Sequence, residues 1–377
     1  MPPRPAGLPL RLRRVDLSDL LLLLSHALAA RASLISGSAT ARDQSLRITG
    51  SCTAGDDTLH NTAFRLFNGF LEGDPDLAID LYGRTLLLHN YADDPASAAA
   101  AASKVQQAWQ FLQGELPWLQ TALVKTRSSP DPASRRGVLL AGSCGYAVAA
   151  DSKVCEDGVW YALDLAMHQD ATLYLDTRLL RGWLKANLAG KSVLNVFAYT
   201  GSLGVAALAG GAQGVVQLDL NGRFLDLARV SYALNGFPVR QENFIAGDFW
   251  TEVNRFKRRG KLFDCVLLDP PFFAVTPRGR VDLVSQSQRL INKVRPLVED
   301  GGRLVAINNA LFLSGRDYYA LLQNLCGDGY LQIEELIPVP PDFTGYPETV
   351  LGAPPVDPAP FNHSTKIAVL RVKRKGR

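Results

Sequence analysis

The chain lacks what several function classes require. Its five cysteines, at positions 52, 144, 155, 265 and 326, include no close pair and no zinc-site spacing. That argues against a thiolate metal site and points to a reducing, cytoplasmic compartment. Excess charge of one sign is missing too, since 40 Lys and Arg stand against 36 Asp and Glu for a net charge of +4. A coat of positive potential is excluded, so any polyanion must be met by local basic patches. Such clusters exist in LRLRR, SRRG, RFKRRGK, TPRGR and VKRKGR, although each also reads as ordinary solvated surface. No apolar run approaches the ~20 residues that a bilayer requires. The leucine run Leu20–Leu24 imitates a signal peptide, but Asp16 and Asp19 interrupt the approach, and Ser18 or Asp19 suits a helix cap. A buried helix from about Ser18 to Leu34 is expected, with no membrane contact.

What is present is globular: 47% of the 377 residues are apolar and 20% charged, more chain than one core normally holds. Residues 1–58 read as an N-terminal arm and helix, and residues 59–166 as an α+β domain with a possible substrate cleft. Short strands are expected in AFRLFNGF, LAIDLYG, TLLLHNY and TALVKTR, with more antiparallel sheet in GVLLAG, GYAVAAD and GVWYALDL. The helix between them places Val105, Ala108, Trp109 and Leu112 on one buried stripe.

Residues 167–377 read as an α/β domain organised around Ser192 to Phe273. SVLNVFAYTGSLG is a strand that breaks into a glycine turn, where Gly201 and Gly204 would let backbone approach a ligand. Asp219 ends the next strand, eighteen residues after Gly201, where doubly wound folds place the acid that grips a ribose. Asp248 ends a third strand in AGDFW, and Asp269 ends a fourth in FDCVLLDPPFF. The full dinucleotide fingerprint is lacking, and a glycine turn with a ribose acid serves NAD as well as S-adenosylmethionine. The last motif decides, because Asp-Pro-Pro-Phe suits a planar nitrogen-bearing ring: proline removes a donor, Asp269 accepts, and an aromatic face stacks. A helix in VDLVSQSQRLINKVRPLV and a fifth strand in GGRLVAINNA follow, with Asn308 and Asn309 at its end as base readers or turn formers. LQIEELIPV and HSTKIAVLRVKRK read as a final antiparallel pair, joined by a Pro-rich insertion.

These motifs, in this order, resemble the class I S-adenosylmethionine-dependent methyltransferases, whose fold is a Rossmann-like α/β sheet. NVFAYTG, preceded by ATLYLDTRLLRGWL, is similar to the large-subunit (23S) ribosomal RNA methyltransferases that modify cytosine at carbon-5 or guanine at nitrogen-7. The similarity reaches upstream to AFRLFNGFLEGDPDLAIDLYG, so it covers roughly residues 60 to 377. The resemblance implies S-adenosyl-L-methionine as cofactor, no metal, and RNA as partner, either ribosomal RNA or an assembling ribosomal particle. It implies that Tyr199, Thr200 and Gly201 line the methionine portion and that Phe197 also contacts the cofactor. Asp219 with Leu220 and Asn221 would hold the ribose, and Asp248 with Phe249 the adenine. Tyr174, Asp176 and Arg178 would lie over the cofactor, although Asp176 reads equally as a helix cap. Asp269, Pro270, Pro271 and Phe272 would bind the target base, with Phe273, Arg278, Arg280, Asn308 and Asn309 on the RNA side.

Two family features are missing. The separate small RNA-binding barrel has no counterpart in the sequence pattern. The carbon-5 enzymes need a thiolate that adds to the ring, and they carry a cysteine just after the fifth strand, where this chain reads AINNALFLSG. A base nitrogen is therefore the expected acceptor. The alternatives are a cytosine carbon-5 enzyme, a methyltransferase of a protein amide or small heterocycle, and a noncatalytic RNA-binding assembly factor. Intact Asp219, Asp248 and Asp269 count against the last.

Overall fold

The computed structural model describes residues 17–35, 62–92, 98–140, 149–276 and 279–374. The expected N-terminal arm, the polar loop after Ile35 and part of GYAVAAD lie outside the described residues. Helices α1 (Leu17–Ala30) and α2 (Ala32–Ile35) occupy the expected span. Leu20, Leu24 and Ala27 recur at helical spacing and are fully buried, whereas Leu22 is exposed, so the leucine run is one face of an amphipathic helix. No helix among the described residues is long and apolar enough to cross a membrane.

The α+β part contains β1 (Ala63–Asn68), α3 (Gly69–Glu72), β2 (Leu77–Tyr82), β3 (Thr85–Asn90), α4 (Ala98–Glu115), β4 (Thr121–Thr126), α5 (Pro132–Arg136) and β5 (Val138–Leu140). The five strands pair in sequence order, antiparallel except for β3 and β4. Only that parallel pair needs a crossover, and α4 supplies it. The stripe Val105, Ala108, Trp109 and Leu112 is buried as expected, in one cluster with α1. A hairpin of β6 (Lys153–Glu156) and β7 (Val159–Ala162) follows.

The second sheet begins after α6 (Arg178–Asn187) with β8 (Ser192–Val196), α7 (Ser202–Ala209), β9 (Gly214–Asp219), α8 (Gly222–Leu234), β10 (Phe244–Ala246), α9 (Phe249–Arg258) and β11 (Phe263–Leu268). It continues through β12 (Phe273–Thr276), β13 (Gly279–Asp282), α10 (Ser287–Val294), β14 (Val298–Asn308), α11 (Gly315–Cys326), β15 (Leu331–Ile337), α12 (Pro341–Thr344) and β16 (Lys366–Val372). Strand order is β10-β9-β8-β11-β14-β16-β15, with β16 antiparallel between β14 and β15. Neighbouring residues on each central strand serve opposite faces. Leu194, Val266 and Leu304 pack under α9, α10 and α11, while Val193, Leu267 and Val305 pack under α6 and α7. The order reverses between β8 and β11, which opens a crevice at the carboxyl ends of these strands.

Two expectations change. A two-stranded hairpin, β12–β13, precedes α10 where a loop and an earlier helix start were expected; its Val275, Thr276 and Val281 are strand formers. Cys155 is disulfide-bonded, where the sequence favoured a reducing compartment, while Cys265 and Cys326 are free.

Candidate active site

The crevice is built on a turn that ordinary residues adopt at a cost. Phe197 and Tyr199 have φ of 57° and 51°, and Gly201 has 75°. Left-handed backbone costs an L-residue about 1–2 kcal/mol, so the surroundings must hold it. They do so through hydrogen bonds from Ala198 N to Leu218 O at 2.9 Å and from Gly201 N to Ala198 O at 2.8 Å. Tyr199 N donates to Asp219 Oδ2 at 2.8 Å, and Thr200 Oγ1 to Thr172 O at 2.5 Å. Asp219 therefore organises the turn from the end of β9, and its Oδ1 also accepts from Asn221 N at 2.9 Å. Burial raises the Asp219 carboxyl above its ordinary range, against the pull of these backbone amides. Asn221 in turn caps α8, accepting from Arg223 N at 3.1 Å, and beside it Leu220 stays 64% exposed.

The glycines also serve the packing of the fold. A Cβ on Gly204 would lie 2.1 Å from Gln217 Nε2, and one on Gly201 would lie 2.7 Å from Ala228 Cβ. They let α7 press against β9 and α8, and Gln217 Nε2 donates to Gly201 O at 3.2 Å. Their close approach is to the protein's own interior.

A second wall comes from residues 164–178. Tyr174 is 39% exposed, and its ring lies 5.2 Å from Tyr199, which packs edge-on to Phe224 at 4.4 Å. Thr177, not Asp176, sits at the N-cap of α6, and Asp176 instead accepts from Thr365 Oγ1 at 2.8 Å. Arg178 departs from its expected place over the cofactor. Its guanidinium is buried against the Asp342 carboxylate and the Ala63 carbonyl. The 164–172 loop below is held by Lys125 of β4, which donates to His168 O at 2.6 Å and Asp170 O at 3.2 Å. Sequence reasoning missed Lys125, Thr172, Phe224 and Thr365, because each reaches the site from a separate element that no spacing connects to it.

Asp269 ends β11 beside these residues. Burial, with the Asp176 carboxylate adding to it, lifts its pKa to about 7. Pro270 is buried, and Phe272 and Phe273 are 36% and 50% exposed, so both rings face outward despite being neighbours. Asp248 is the N-cap of α9, accepting from Thr251 N at 3.0 Å. The Phe249 ring is buried and stacks on Phe197 at 4.6 Å, which buttresses the strained turn from below. Asn309 is exposed, but Asn308 is not a base reader. Its amide is fully buried, donating to Leu283 O and Ser287 Oγ and accepting from Ala310 N. Arg280 lies in β13 opposite Val275, and Arg278 lies outside the described residues. Among the described residues no group of three His, Cys, Asp or Glu is placed to hold a metal ion.

A sequence model of S-adenosylmethionine-dependent methyltransferases matches residues 123–346. The chain belongs to that family. It is 30% identical to "Ribosomal RNA large subunit methyltransferase I" of Aeromonas salmonicida over 297 residues, 76% of this chain and 72% of that protein. It is 28% identical to "Ribosomal RNA large subunit methyltransferase K" of Neisseria meningitidis over 253 residues, 66% and 69% of the two chains. Among solved structures, SMU.776 in complex with SAH superposes with a TM-score of 0.74 at 21% identity, covering 95% of this chain and 82% of that one. That likeness shows the class I methyltransferase fold.

The enzyme's cofactor is S-adenosylmethionine, and the crevice fits it chemically. A carboxylate on β9, the exposed Leu220 next to it and the exposed Tyr174 opposite offer hydroxyl acceptors between apolar surfaces. We expect Asp219→Ala to weaken S-adenosylmethionine binding by about 1.5–3 kcal/mol, the scale of hydrogen bonds to a charged group. Calorimetry checks this, and tight NAD binding with no response to S-adenosylmethionine would overturn the cofactor assignment.

The raised Asp269 carboxyl has a pH consequence. Between the ordinary 3.8 and about 7, the folded chain holds a proton that the unfolded chain has released, so this group's stability contribution falls as pH rises through that window. Its acceptor capacity grows in the same direction. For the free enzyme, kcat/KM is expected to rise with an apparent pKa near 7, and Asp269→Asn is expected to remove that limb. A pH profile unchanged by the substitution would assign the limb elsewhere.

Proposed function

We propose that the enzyme methylates a base nitrogen in large-subunit ribosomal RNA, presented free or in an assembling particle. The relatives' names supply the substrate class. The observation that carries the acceptor is Asp269, held half-buried between rigid Pro270 and Asp176 with Phe272 and Phe273 exposed beside it. In this reading Asp269 accepts an N–H of the base and Phe272 stacks on its face, an interaction worth about 1–3 kcal/mol per base. Asp219 and the Phe197–Gly201 turn would hold the cofactor, with Tyr174 and Asp248 as further contacts. Bound S-adenosylmethionine supplies a methyl on positively charged sulfur. The chain's own task would be to align the base nitrogen's lone pair with that methyl and to exclude water. Residues 59–166 shape the substrate cleft, and residues 167–377 carry the chemistry.

The thiols support nitrogen over carbon-5. Cys265 is fully buried in β11, where burial pushes its pKa up to about 12, Cys326 ends α11, and Cys155 is disulfide-bonded. Cys52 and Cys144 lie outside the described residues. Mass spectrometry of nucleosides from RNA treated with the enzyme is expected to show a nitrogen-methylated base. Finding 5-methylcytidine would refute the acceptor and leave the RNA assignment standing.

A further inference from the structure

We propose that the outer face of α9 and α10 is the track on which the enzyme grips the phosphate backbone of its RNA. The inference rests on the RNA reading above and adds where the strand runs. The last turn of α9 carries Arg255, Lys257 and Arg258, and α10 carries Arg289 and Lys293 with no acid of its own. The α9 acid Glu252 is engaged by Arg255 at 3.2 Å. The two helices are joined through Trp250. The Arg289 guanidinium lies 4.6 Å from that ring and the Lys293 ammonium 5.7 Å.

Lys293 is anchored to Asn254 Oδ1 at 2.6 Å, which holds it toward Lys257. Burial and the Lys293 charge together lower the Lys257 pKa, so the fold places two like charges where they repel. A stable fold gains nothing from that arrangement. A bound phosphate would relieve it, since each neutralised contact also releases condensed counterions from the nucleic acid.

The placement suits the reaction. Helix α10 follows the β12–β13 hairpin directly, and its first residue, Ser287, bonds back to Leu283 O at the hairpin's end. Arg289 is thus within the first turn after the loop that carries the exposed Phe272 and Phe273. From there the basic face descends the outside of the sheet, away from the cofactor crevice. Ten residues of α9 span about 15 Å at 1.5 Å each, which is room for several phosphates of one strand. The charge is local, as a net +4 requires.

The test uses the full chain and a labelled single-stranded RNA oligonucleotide, with affinity followed by anisotropy at several salt concentrations. The triple variant K257Q/R289Q/K293Q is compared with R371Q/K373Q/R374Q, which removes equal charge beside the last strand of the sheet. We expect the first triple to lose about 10- to 100-fold in RNA affinity and to flatten the log–log salt slope by about 2, at ~0.7 per contact. Its S-adenosylmethionine affinity should match wild type, its melting temperature should fall only by the few degrees that losing the Arg289 and Lys293 contacts to Trp250 costs, and the second triple should bind RNA nearly as wild type does. Wild-type affinity in the first triple, equal losses in both, or no RNA binding by wild type would each overturn the track. Methyl transfer from labelled cofactor to RNA and protein fractions is read separately. Transfer to protein alone, with RNA affinity still lost in the first triple, would sink the RNA methyltransferase reading and uphold the surface.

Discussion

Asp269→Ala is expected to lower the rate of methyl transfer by about 10²–10³-fold, the scale on which losing one preorganised hydrogen-bonding group is felt. S-adenosylmethionine affinity should stay within about threefold of wild type, because the proposed ribose contact is Asp219 on another strand. Asp269 has no hydrogen bond among the described residues, yet it sits deep enough for its pKa to rise to about 7. A half-buried carboxyl with its acceptor capacity unspent is placed to receive a donor from an incoming base. Pro270 and Pro271 fix the backbone that carries it. Phe272→Ala should act differently, raising KM for RNA by roughly 5- to 150-fold, as loss of about 1–3 kcal/mol of stacking predicts. Single-turnover rates and calorimetry separate the two effects. Loss of cofactor affinity alone in both variants would mean that the loop faces the cofactor and not the base.

The parts of the site that the sequence revealed are those whose chemistry is local. Asp219 closes β9, and Asp248 and Asp269 lie within two residues of the ends of β10 and β11, so the three acids were legible as a row on one edge. The stripe on α4 was legible for the same reason, as a period within one element. Failure came where a residue's partner is far away along the chain. Arg178 reads as a cofactor contact beside Tyr174, but its charge is claimed by Asp342, 164 residues later. Asn308 stands at a strand end on the right edge, and Ser287 turns its amide inward. Gly204 shows a related limit: a glycine announces that something approaches, and only the fold says that it is Gln217. The strained backbone of Phe197 and Tyr199 had no signal at all, since neither residue type favours left-handed φ.

Asp342→Ala is expected to destabilise the protein by about 3–5 kcal/mol, the cost of breaking a buried ion pair from one side. Asp342 is fully buried at the start of α12, inside the Pro-rich insertion, and Arg178 is nearly so. Its carboxylate takes the Arg178 guanidinium and the Arg65 backbone N–H, the latter at 3.1 Å. Its own carbonyl accepts from Arg31 at 2.8 Å, and Arg31 in turn pairs with Glu72 at 3.0 Å. One residue thereby ties the junction of α1 and α2, the first strand of the α+β sheet and α6 beside the methyltransferase sheet together. Alanine would leave the Arg178 charge buried without its partner and strand the Arg65 amide. Asn should cost less, because it keeps the volume and one acceptor. The double variant R178M/D342L should recover much of the loss, because removing both charges also removes the desolvation penalty. Urea unfolding of wild type, R178M, D342L and the double variant, read as a double-mutant cycle, decides this. A loss under about 1 kcal/mol for Asp342→Ala would show that water satisfies Arg178 and that the insertion is held by its apolar contacts. A double variant no better than the worse single one would place the stabilisation in the carboxylate's bond to the Arg65 amide rather than in the pair.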